Sequence, residues 1–600
     1  MPTDPIASST ALAVRAAAVL AGSNDATELA TVLGWPVHEV RAAGPIELAV
    51  DPAPLAEWFR AAPDDAARTF ARALAWLQSQ GRVEQAAPLA LAFGTTAQRL
   101  ALLDDAGWLL LWRPRRAVLG PLLASVSMEP GADAVLPLQL AWWVEVERVP
   151  HAAERRLQHT ATDDPALPLP LRAAVHSRLA QVFDDARGAL RWARQAVTGH
   201  PNDLTPAALL ARYALGLALV DAGHPHAALE PLAALVRACR RDGLPMLALD
   251  AFAALARAHD ELGDAPGLQA TLAAAQTLAR EHGIDDAPAL QLLERLRRLQ
   301  GLRRASFAEP ERRNETPLAP ALPPTAYEAF PNLVLDALEL LQADALDAAT
   351  EALQALDRRQ AQAFHCHKWR NAHLHARLWW LARRPQPAVL AEAMALQPAV
   401  DDASTLVELH QAVLAAAAAA LAGRPLAADL LVAWQAQLGA RRLQRLQQRL
   451  ALIQAIGAPP DTDPLLGWLT DQAADLGPWD AAWLAPKLAT VLEALLTTPA
   501  IVRHPAERAL AQRLLQQMLA PPPAPAAAPV EPGAPPADLT LREWEILQLI
   551  GRHYTNEQIA NQLNVSLATV KTHINRVYGK LSIGSRAEAV QRAHHLQHPS

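Results

Sequence analysis

The sequence predicts an all-α protein: an α-solenoid of repeated helices, followed by a C-terminal bundle of four helices. Three observations support this fold class. The 600 residues are 51% hydrophobic but only 5% aromatic, and they include just 26 glycines. Segments 206–222 and 406–422 are apolar on all sides or at helical spacing, without the alternation of a strand. The 49 prolines then mark helix ends, because proline lacks the amide hydrogen that a helix interior needs.

An internal repeat of 40 residues supports the solenoid. Gly223 and Gly263 occupy equivalent places, as do Gly243 and Gly283, and each pair is 40 residues apart. In each copy a helix ends with an acidic residue, an apolar residue and glycine, and a second helix follows a proline-containing turn. Glycine permits the left-handed conformation that ends a helix. Paired helices at this period are typical of tetratricopeptide-like or HEAT-like solenoids, and a weaker copy begins at Leu421.

Two breaks in composition divide this helical pattern. Residues 303–325 mix charges with prolines, and eight of the sixteen residues in 521–536 are proline, which favours an extended spacer over helix or sheet. The sequence therefore predicts linkers at 303–325 and 521–538. It predicts one helical-repeat region at 58–302, a second at 326–520 and a separate module at 539–600.

The charged residues exclude two classes of protein. A formal net charge of −7 excludes a globally basic nucleic-acid coat. Only four of the 54 basic residues are lysines, and neither Lys368 nor Lys487 stands in the glycine-rich context of a phosphate-binding loop. The sequence thus argues against a P-loop nucleotidase.

The sequence also indicates the cellular compartment in which the protein resides. Cys239 and Cys366 are too few for a disulfide framework and fit a reducing compartment. Arg15 interrupts the first apolar stretch, which argues against a signal peptide. The longest uncharged, alanine-rich apolar run, 412–423, is shorter than the roughly 20 residues of a membrane span. We therefore expect a cytoplasmic protein without membrane contact.

The module at 539–600 is basic and consists of short helices. Its formal charge is +3, whereas the rest of the chain is acidic. Thr540–Glu543, Thr555–Gln558 and Ser585–Glu588 have the capping-box pattern that opens a helix, and Ser566 is placed to cap another. The tight turn at 564–565 joins two of these helices, which is the pattern of a helix-turn-helix.

The third helix of this module has two different faces. Its core face is predicted to hold Val570, Ile574, Val577 and Leu581. The opposite side is small, polar and cationic, as a helix that enters a major groove must be. Asn575 can pair with adenine, Arg576 with guanine, and Thr572 can contact a thymine methyl group. Lys571 and Lys580 suit phosphates or guanine edges.

Double-stranded DNA is therefore the predicted partner, bound in its major groove. The full set of candidate DNA-binding residues is Lys571, Thr572, Asn575, Arg576, Lys580, Thr569, Ser566, Thr555 and His573. The alternative is a solvated face on a small helical bundle. Successive capping boxes together with the tight turn favour DNA binding over that alternative.

The terminal module resembles the LuxR-type DNA-binding domain over about 60 residues. The resemblance lies in the patterns LTxREwEIL, TNxxIAxxL, TVKTHI, Tyr578–Leu581 and SRAEAV. It implies that the fourth helix forms a dimer contact on DNA. The residues of that contact would be Ala589, Val590, Ala593 and Leu596. The chain departs from the family at Glu557 and Gln558, where a lysine and a glutamate are usual. A lysine at the first position could contact a DNA phosphate, whereas the carboxylate of Glu557 would repel it.

Residues 57–112 resemble the segment that follows the nucleotidase in large MalT-like regulators, and the wider similarity extends over about the first 300 residues. The resemblance implies a helical-repeat sensor with an unknown small-molecule or protein effector. It also implies a winged-helix-like remnant in 1–57, with helical pieces at 12–20, 27–33 and 37–43. The nucleotidase itself is missing from the sequence, so an ATP-gated mechanism does not carry over.

The sequence gives little support for a metal site or for catalysis. A histidine- and cysteine-rich stretch at 364–375 invites a metal site, but His367 and His375 are two helical turns apart, which favours packed or surface histidines. The tryptophan pairs at 142–143 and 379–380 are expected to be one core and one rim residue each. No nucleophile–base pattern, paired carboxylates or zinc-protease motif stands out. We therefore expect no catalytic residues, no cofactor, no metal and no enzymatic activity.

The sequence as a whole predicts a sequence-specific transcriptional regulator, homodimeric on DNA, whose helical-repeat body controls the C-terminal domain. An interaction scaffold whose terminal module mainly dimerises is the alternative. A ligand-processing activity in the solenoid has no supporting motif.

Overall fold

The protein is described here from a computed structural model. It describes residues 5–43, 53–147, 149–161, 164, 167–198, 205–285, 287–304, 326–342, 345–362, 367–383, 387–424, 426–457, 463–472, 485–519, 546–547, 550, 556, 567–581, 583 and 588–589. Within these ranges the secondary structure is helical and contains no strand, which confirms the predicted fold class. The chain divides into two compact units, residues 1–520 and 521–600.

In the described residues, the N-terminal part of the larger unit is formed by seven helices. They are α1 (Pro5–Ala21), α2 (Ala26–Leu33), α3 (Val37–Ala42), α4 (Ala53–Ala61), α5 (Pro63–Ser79), α6 (Val83–Phe93) and α7 (Thr96–Leu111). Helices α1, α2 and α4 all pack against α5, and Phe59 stacks on Phe93 with ring centroids 5.6 Å apart. The helical pieces predicted for 1–57 correspond to α1–α3, and residue 57 falls inside α4. The winged-helix interpretation stays a prediction.

A less regular segment leads from these helices into the repeats. It contains α8 (Leu119–Ala124), α9 (Leu136–Trp142) and α10 (Pro150–Gln158). A π-helical turn at Trp143–Glu147 follows α9 directly. Trp142 is buried whereas Trp143 is half-buried, so the prediction of one core and one rim residue is confirmed for this pair.

The first array of repeated helices follows. It consists of α11 (Leu169–Val182), α12 (Ala186–Val197), α13 (Pro206–Asp221), α14 (Pro225–Arg241), α15 (Pro245–Leu262), α16 (Ala265–Glu281) and α17 (Pro288–Arg304). Each helix packs against the next, and α11, α13, α15 and α17 also pack against one another in succession. Contacts confined to near neighbours are the defining property of a solenoid.

The repeat glycines adopt the backbone conformation that the sequence predicts. The φ angles of Gly223 and Gly263 are +81° and +74°, and those of Gly243 and Gly283 are +67° and +60°. All four lie in the left-handed region, immediately after or two residues after a helix ends. The 40-residue repeat is thus a real structural period.

The second array fills the rest of the larger unit. It consists of α18 (Ala326–Gln342), α19 (Leu346–Gln362), α20 (His367–Arg383), α21 (Pro387–Met394), α22 (Leu406–Leu421), α23 (Ala428–Ala440), α24 (Gln444–Gly457), α25 (Asp463–Gln472), α26 (Ala485–Leu496), α27 (Pro499–Val502) and α28 (Pro505–Leu519). Helices α18, α20, α22 and α24 pack in succession. Trp379 is buried and Trp380, which is half-buried, donates its Nε1–H to the Thr350 hydroxyl at 3.0 Å. This pair also matches the core-and-rim prediction.

We expect opposite effects from alanine at two glycines that both have open space around the missing Cβ. Gly243→Ala should destabilise the first array by about 1 kcal/mol, because a Cβ is strained at its positive φ. Gly467→Ala, inside helix α25, should stabilise by about 0.5–1 kcal/mol, because alanine loses less backbone entropy there. Urea unfolding of the two variants measures both effects. Shifts of the same sign would contradict the assignment of Gly243 to a left-handed turn.

Charged and polar contacts join the two arrays. Arg441, which follows α23 and is 7% exposed, donates to the carbonyls of Asp402 at 2.8 Å, Asp401 at 3.1 Å and Ser404, and at 3.5 Å to that of Ala222 at the end of α13. Arg187 with Glu408 and Arg445 with Asp260 form ion pairs across the same junction, and His410 Nε2 lies 3.1 Å from Glu261 Oε2. The solenoid therefore doubles back on itself, so that α13 meets α22 and α15 meets α24.

The histidine-rich helix α20 is packed into the second array. The His373 side chain is 1% exposed, and its Nε2 lies 3.0 Å from Asp357 Oδ1. Burial lowers the pKa of His373, partly offset by the Asp357 carboxylate. No group of three candidate metal ligands occurs among the residues whose positions are described, and residues 363–366 lie outside them. In the same ranges, no helix combines the length and apolar character that crossing a membrane requires.

Candidate nucleic-acid interface

The smaller unit is built around one amphipathic helix, α29 (Leu567–Leu581). Val570, Ile574 and Val577 are buried at 0%, 7% and 0% exposure, and Leu581 is half-buried. Their spacing of four, three and four residues places them on one stripe of a helix with 3.6 residues per turn. This is the core face that the sequence predicts. Because it is buried, the opposite face of α29 is directed toward solvent.

Apolar side chains outside α29 are buried as well. Ile546, Leu547 and Ile550 are fully buried, as is Ala589. The amide of Ile583 donates to the Tyr578 carbonyl at 3.0 Å and closes the end of α29. The core therefore holds α29 with its opposite side facing outward.

Three cations of α29 are exposed: Lys571, Arg576 and Lys580. At 100° per residue, Lys571 and Lys580 lie about 180° apart around the helix axis and about 14 Å apart along it. Each is therefore about 90° from the core stripe, on opposite flanks. Arg576 lies between them, about 130° from the core stripe. Lys571 and Arg576 have no ion-pair partner in the part of the chain that is described.

The remaining predicted site residues are described only in part. Positions 569, 572, 573 and 575 belong to α29, but their side chains lie outside the described residues, and so do Thr555 and Ser566. By helical spacing, positions 572 and 575 fall on the outward arc between the two lysines. Of the four residues expected at a dimer contact, Ala589 is described and is buried within the single chain, whereas Val590, Ala593 and Leu596 lie outside the described residues.

The arrangement can bind a polyanion that has a groove about as wide as a helix. Lysines on opposite flanks of one helix reach the two walls of such a groove, and an arginine between them reaches its floor. The major groove of B-DNA is about 12 Å wide and admits an α-helix. On geometry alone α29 is thus a candidate recognition helix.

Comparison with known proteins agrees with this geometry. Residues 537–593 match the family described as bacterial regulatory proteins, luxR family. Over 58 residues the chain is 53% identical to the HTH-type transcriptional regulator MalT of Yersinia pestis (strain Pestoides F) and 52% identical to that of Klebsiella pneumoniae. In each case the match covers 10% of this chain and 6% of the relative.

This similarity covers the terminal module. Within the module it includes α29, its cationic arc and the buried positions that orient it. The chain therefore carries a LuxR-type helix-turn-helix domain of the kind found in bacterial transcriptional regulators.

Proposed function

We propose that the protein regulates transcription by placing α29 in the major groove of double-stranded DNA, under the control of its helical-repeat body. The observation that supports this most directly is the arc of exposed cations, Lys571, Arg576 and Lys580, opposite a buried apolar stripe. A helix with its side chains is about 10–12 Å across, which matches the groove. Binding to DNA would also place the protein in the cytoplasm of a bacterium.

Each residue of the arc has a proposed role. Lys571 and Lys580 neutralise phosphates on the two strands that border the groove, which gives affinity without sequence preference. Arg576 donates two hydrogen bonds to a guanine edge. Asn575 and Thr572, from their positions on the outward arc, read adenine and a thymine methyl group. Thr555, Ser566, Thr569 and His573 remain candidates for backbone contacts.

We further propose that two copies bind DNA together through the helix that contains residues 588–589. Because the Ala589 methyl group is already buried within one chain, the contact would use Val590, Ala593 and Leu596. A homodimer would read two half-sites related by two-fold symmetry. The operator is accordingly expected to be palindromic.

The body is proposed to carry the signal. Two arrays of stacked helices present an extended surface of the kind that repeat proteins use to bind partners, and the ion pairs between the arrays can change when a ligand binds. A small molecule or a protein that binds the body would therefore alter transcription by changing the contacts between its two arrays.

The test of the function is selection of binding sites from random DNA by the full-length protein, followed by salt titration. A regulator is expected to enrich a palindromic motif, with an affinity that falls linearly with salt concentration on a log–log plot. A scaffold whose terminal module only dimerises would enrich no motif and show no salt-dependent DNA binding. The second result would reject the proposal.

Asn575→Ala is expected to relax base choice at one operator position by about 1–3 kcal/mol, because a bidentate contact to adenine is lost. Competition binding with operators that carry each base at that position measures the change. Lys571→Ala is the matched control on the same helix, and it should weaken binding to all four operators equally. An unchanged preference in Asn575→Ala would contradict a base-reading role.

A further inference from the structure

A pocket of about 380 Å³ lies where the N-terminal helices meet the first array. It is bordered by the start of α6, the turn after α7 and the end of α16. The residues that line it are Gly81, Arg82, Glu84, Gln85, Arg113, Pro114, Arg115 and His282. Small-molecule sites in proteins range from about 300 to 1,000 Å³, so the volume suits a small metabolite.

The chemistry of the pocket is dominated by three guanidinium groups. The Arg113 Nη1 donates to the Gly81 carbonyl at 3.1 Å, while its Nε is buried without a hydrogen-bond partner among the described residues. Arg115 is exposed, and its side chain has no ion-pair or hydrogen-bond partner in those same ranges. Each guanidinium has five N–H donors, so most donors of these two arginines are available to a ligand.

Arg82 has only weak contacts with acceptors. Its Nη2 lies 3.4 Å from the Gly22 carbonyl, its Nη1 lies 3.9 Å from Glu28, and its guanidinium stands 5.3 Å from the Trp76 ring centroid. The stacking on Trp76 orients the planar group without using its N–H donors. Arg82 is therefore held in place at the pocket wall with unused hydrogen-bonding capacity.

One carboxylate faces these cations. Glu84 Oε1 accepts the backbone N–H of Arg115 at 3.0 Å, and this bond fixes the turn that carries Arg113 and Arg115. The lining thus has three positive side chains and one negative one, a formal excess of two positive charges. Glu28, 3.9 Å from Arg82, offsets part of this excess, and a ligand with up to two negative charges would balance the rest.

We propose that this pocket binds a small oxyanion ligand, a phosphate or polycarboxylate that carries about two negative charges. Arginine forks match the planar oxygen pairs of both groups and bind them through paired charge-assisted hydrogen bonds. All the lining residues of this pocket belong to the larger unit.

The position of the pocket suggests what its ligand does. The amide of Met246, at the start of α15, donates to the Trp112 carbonyl at 3.0 Å, so the turn after α7 already touches the first array. A bound anion would add contacts across the same junction, from Arg82 on one side to His282 on the other. The ligand would therefore stabilise one arrangement of the N-terminal helices on the repeats.

The experiment is calorimetric titration of the full-length protein with inorganic phosphate, pyrophosphate and citrate, each at constant ionic strength. At least one is expected to bind at a single saturable site, and the preference between pyrophosphate and citrate distinguishes phosphate from carboxylate recognition. Arg115→Ala should weaken that binding about tenfold or more, because a charged hydrogen-bonding group is removed. Arg115→Lys should recover part of the loss.

Arg237→Ala is the control, since Arg237 is an exposed arginine of α14 that pairs with Glu230, away from the pocket. Arg115 is a suitable test position because its exposed side chain has no partner in the described structure, so the variant should fold, which a thermal melt verifies. The proposal is overturned if no anion saturates a site, or if Arg115→Ala and Arg237→Ala bind as the unaltered protein does. Equal weakening by both variants would also overturn it, as it would indicate screening of overall charge.

Discussion

Replacing Lys571, Arg576 and Lys580 together by alanine is expected to lower the affinity of the protein for DNA about 10²–10³-fold at roughly 0.1 M salt. Each phosphate that a cation neutralises releases counterions and contributes about 0.9 to the log–log slope of affinity against salt. The two lost phosphate contacts of Lys571 and Lys580 should therefore reduce that slope by up to about 1.8, and the lost contact of Arg576 to guanine lowers the affinity further. All three side chains are exposed, so the fold of the smaller unit should persist. Fluorescence anisotropy with labelled operator at several salt concentrations measures both quantities.

The matched control replaces three exposed arginines of the body, Arg68, Arg237 and Arg241, by alanine. This variant has the same change of net charge, so it isolates the position of the charges from their number. We expect its affinity and salt slope to stay close to those of the unaltered protein. If both triple variants lost affinity equally, DNA would be binding through overall charge, and α29 would have no special role.

Arg441→Ala is expected to destabilise the contact between the two arrays by about 3–5 kcal/mol. The side chain is buried and donates to the carbonyls of Asp401, Asp402 and Ser404 as well as to that of Ala222. Burial lowers the pKa of Arg441, and the nearby carboxylates of Asp402, Asp401 and Glu408 act in the opposite direction. An arginine stays protonated at neutral pH even so. Its removal takes this donor from the buried carbonyls of Ser404 and Ala222.

Hydrogen exchange is the appropriate measurement, because opening of one junction in a repeat protein need not coincide with global unfolding. Amides of residues 401–409 should exchange faster in Arg441→Ala, while those of α11 and α12 stay close to their original rates. Arg424→Ala is the control, since Arg424 is an exposed arginine of the second array. Similar exchange in both variants would show that the buried guanidinium does not stabilise the junction.

The local features of this fold could be predicted from the sequence. Gly223 and Gly263 have a left-handed conformation because the helix-ending pattern around them is a short-range property of the chain. The stripe of Val570, Ile574 and Val577 was predictable for the same reason, since helical spacing alone determines which residues share a face. Exposure of Lys571, Arg576 and Lys580 follows once that stripe is buried.

The non-local features could not be predicted. Arg441 meets Ala222 across 219 positions, and Arg445 meets Asp260 across 185. No local pattern connects such residues. The pocket between the N-terminal helices and the first array could not be predicted either, because Arg82, Arg115 and His282 line it from three separate turns. A search for arginines and histidines beside helix ends would have found each of the three, without any sign that they lie close together.

The ion pairs between the arrays have a consequence for how the chain folds as it is synthesised. Helices α11–α17 contact near neighbours, so they can assemble while the ribosome is still making the second array. Asp260 and Glu261, however, meet Arg445 and His410 only after a further 185 and 149 residues have been added. Until then, Asp260 and Glu261 at the end of α15 have not met these two side chains. We therefore expect the first array to fold early during synthesis. Its contacts through Asp260 and Glu261 should form later, once the second array is complete.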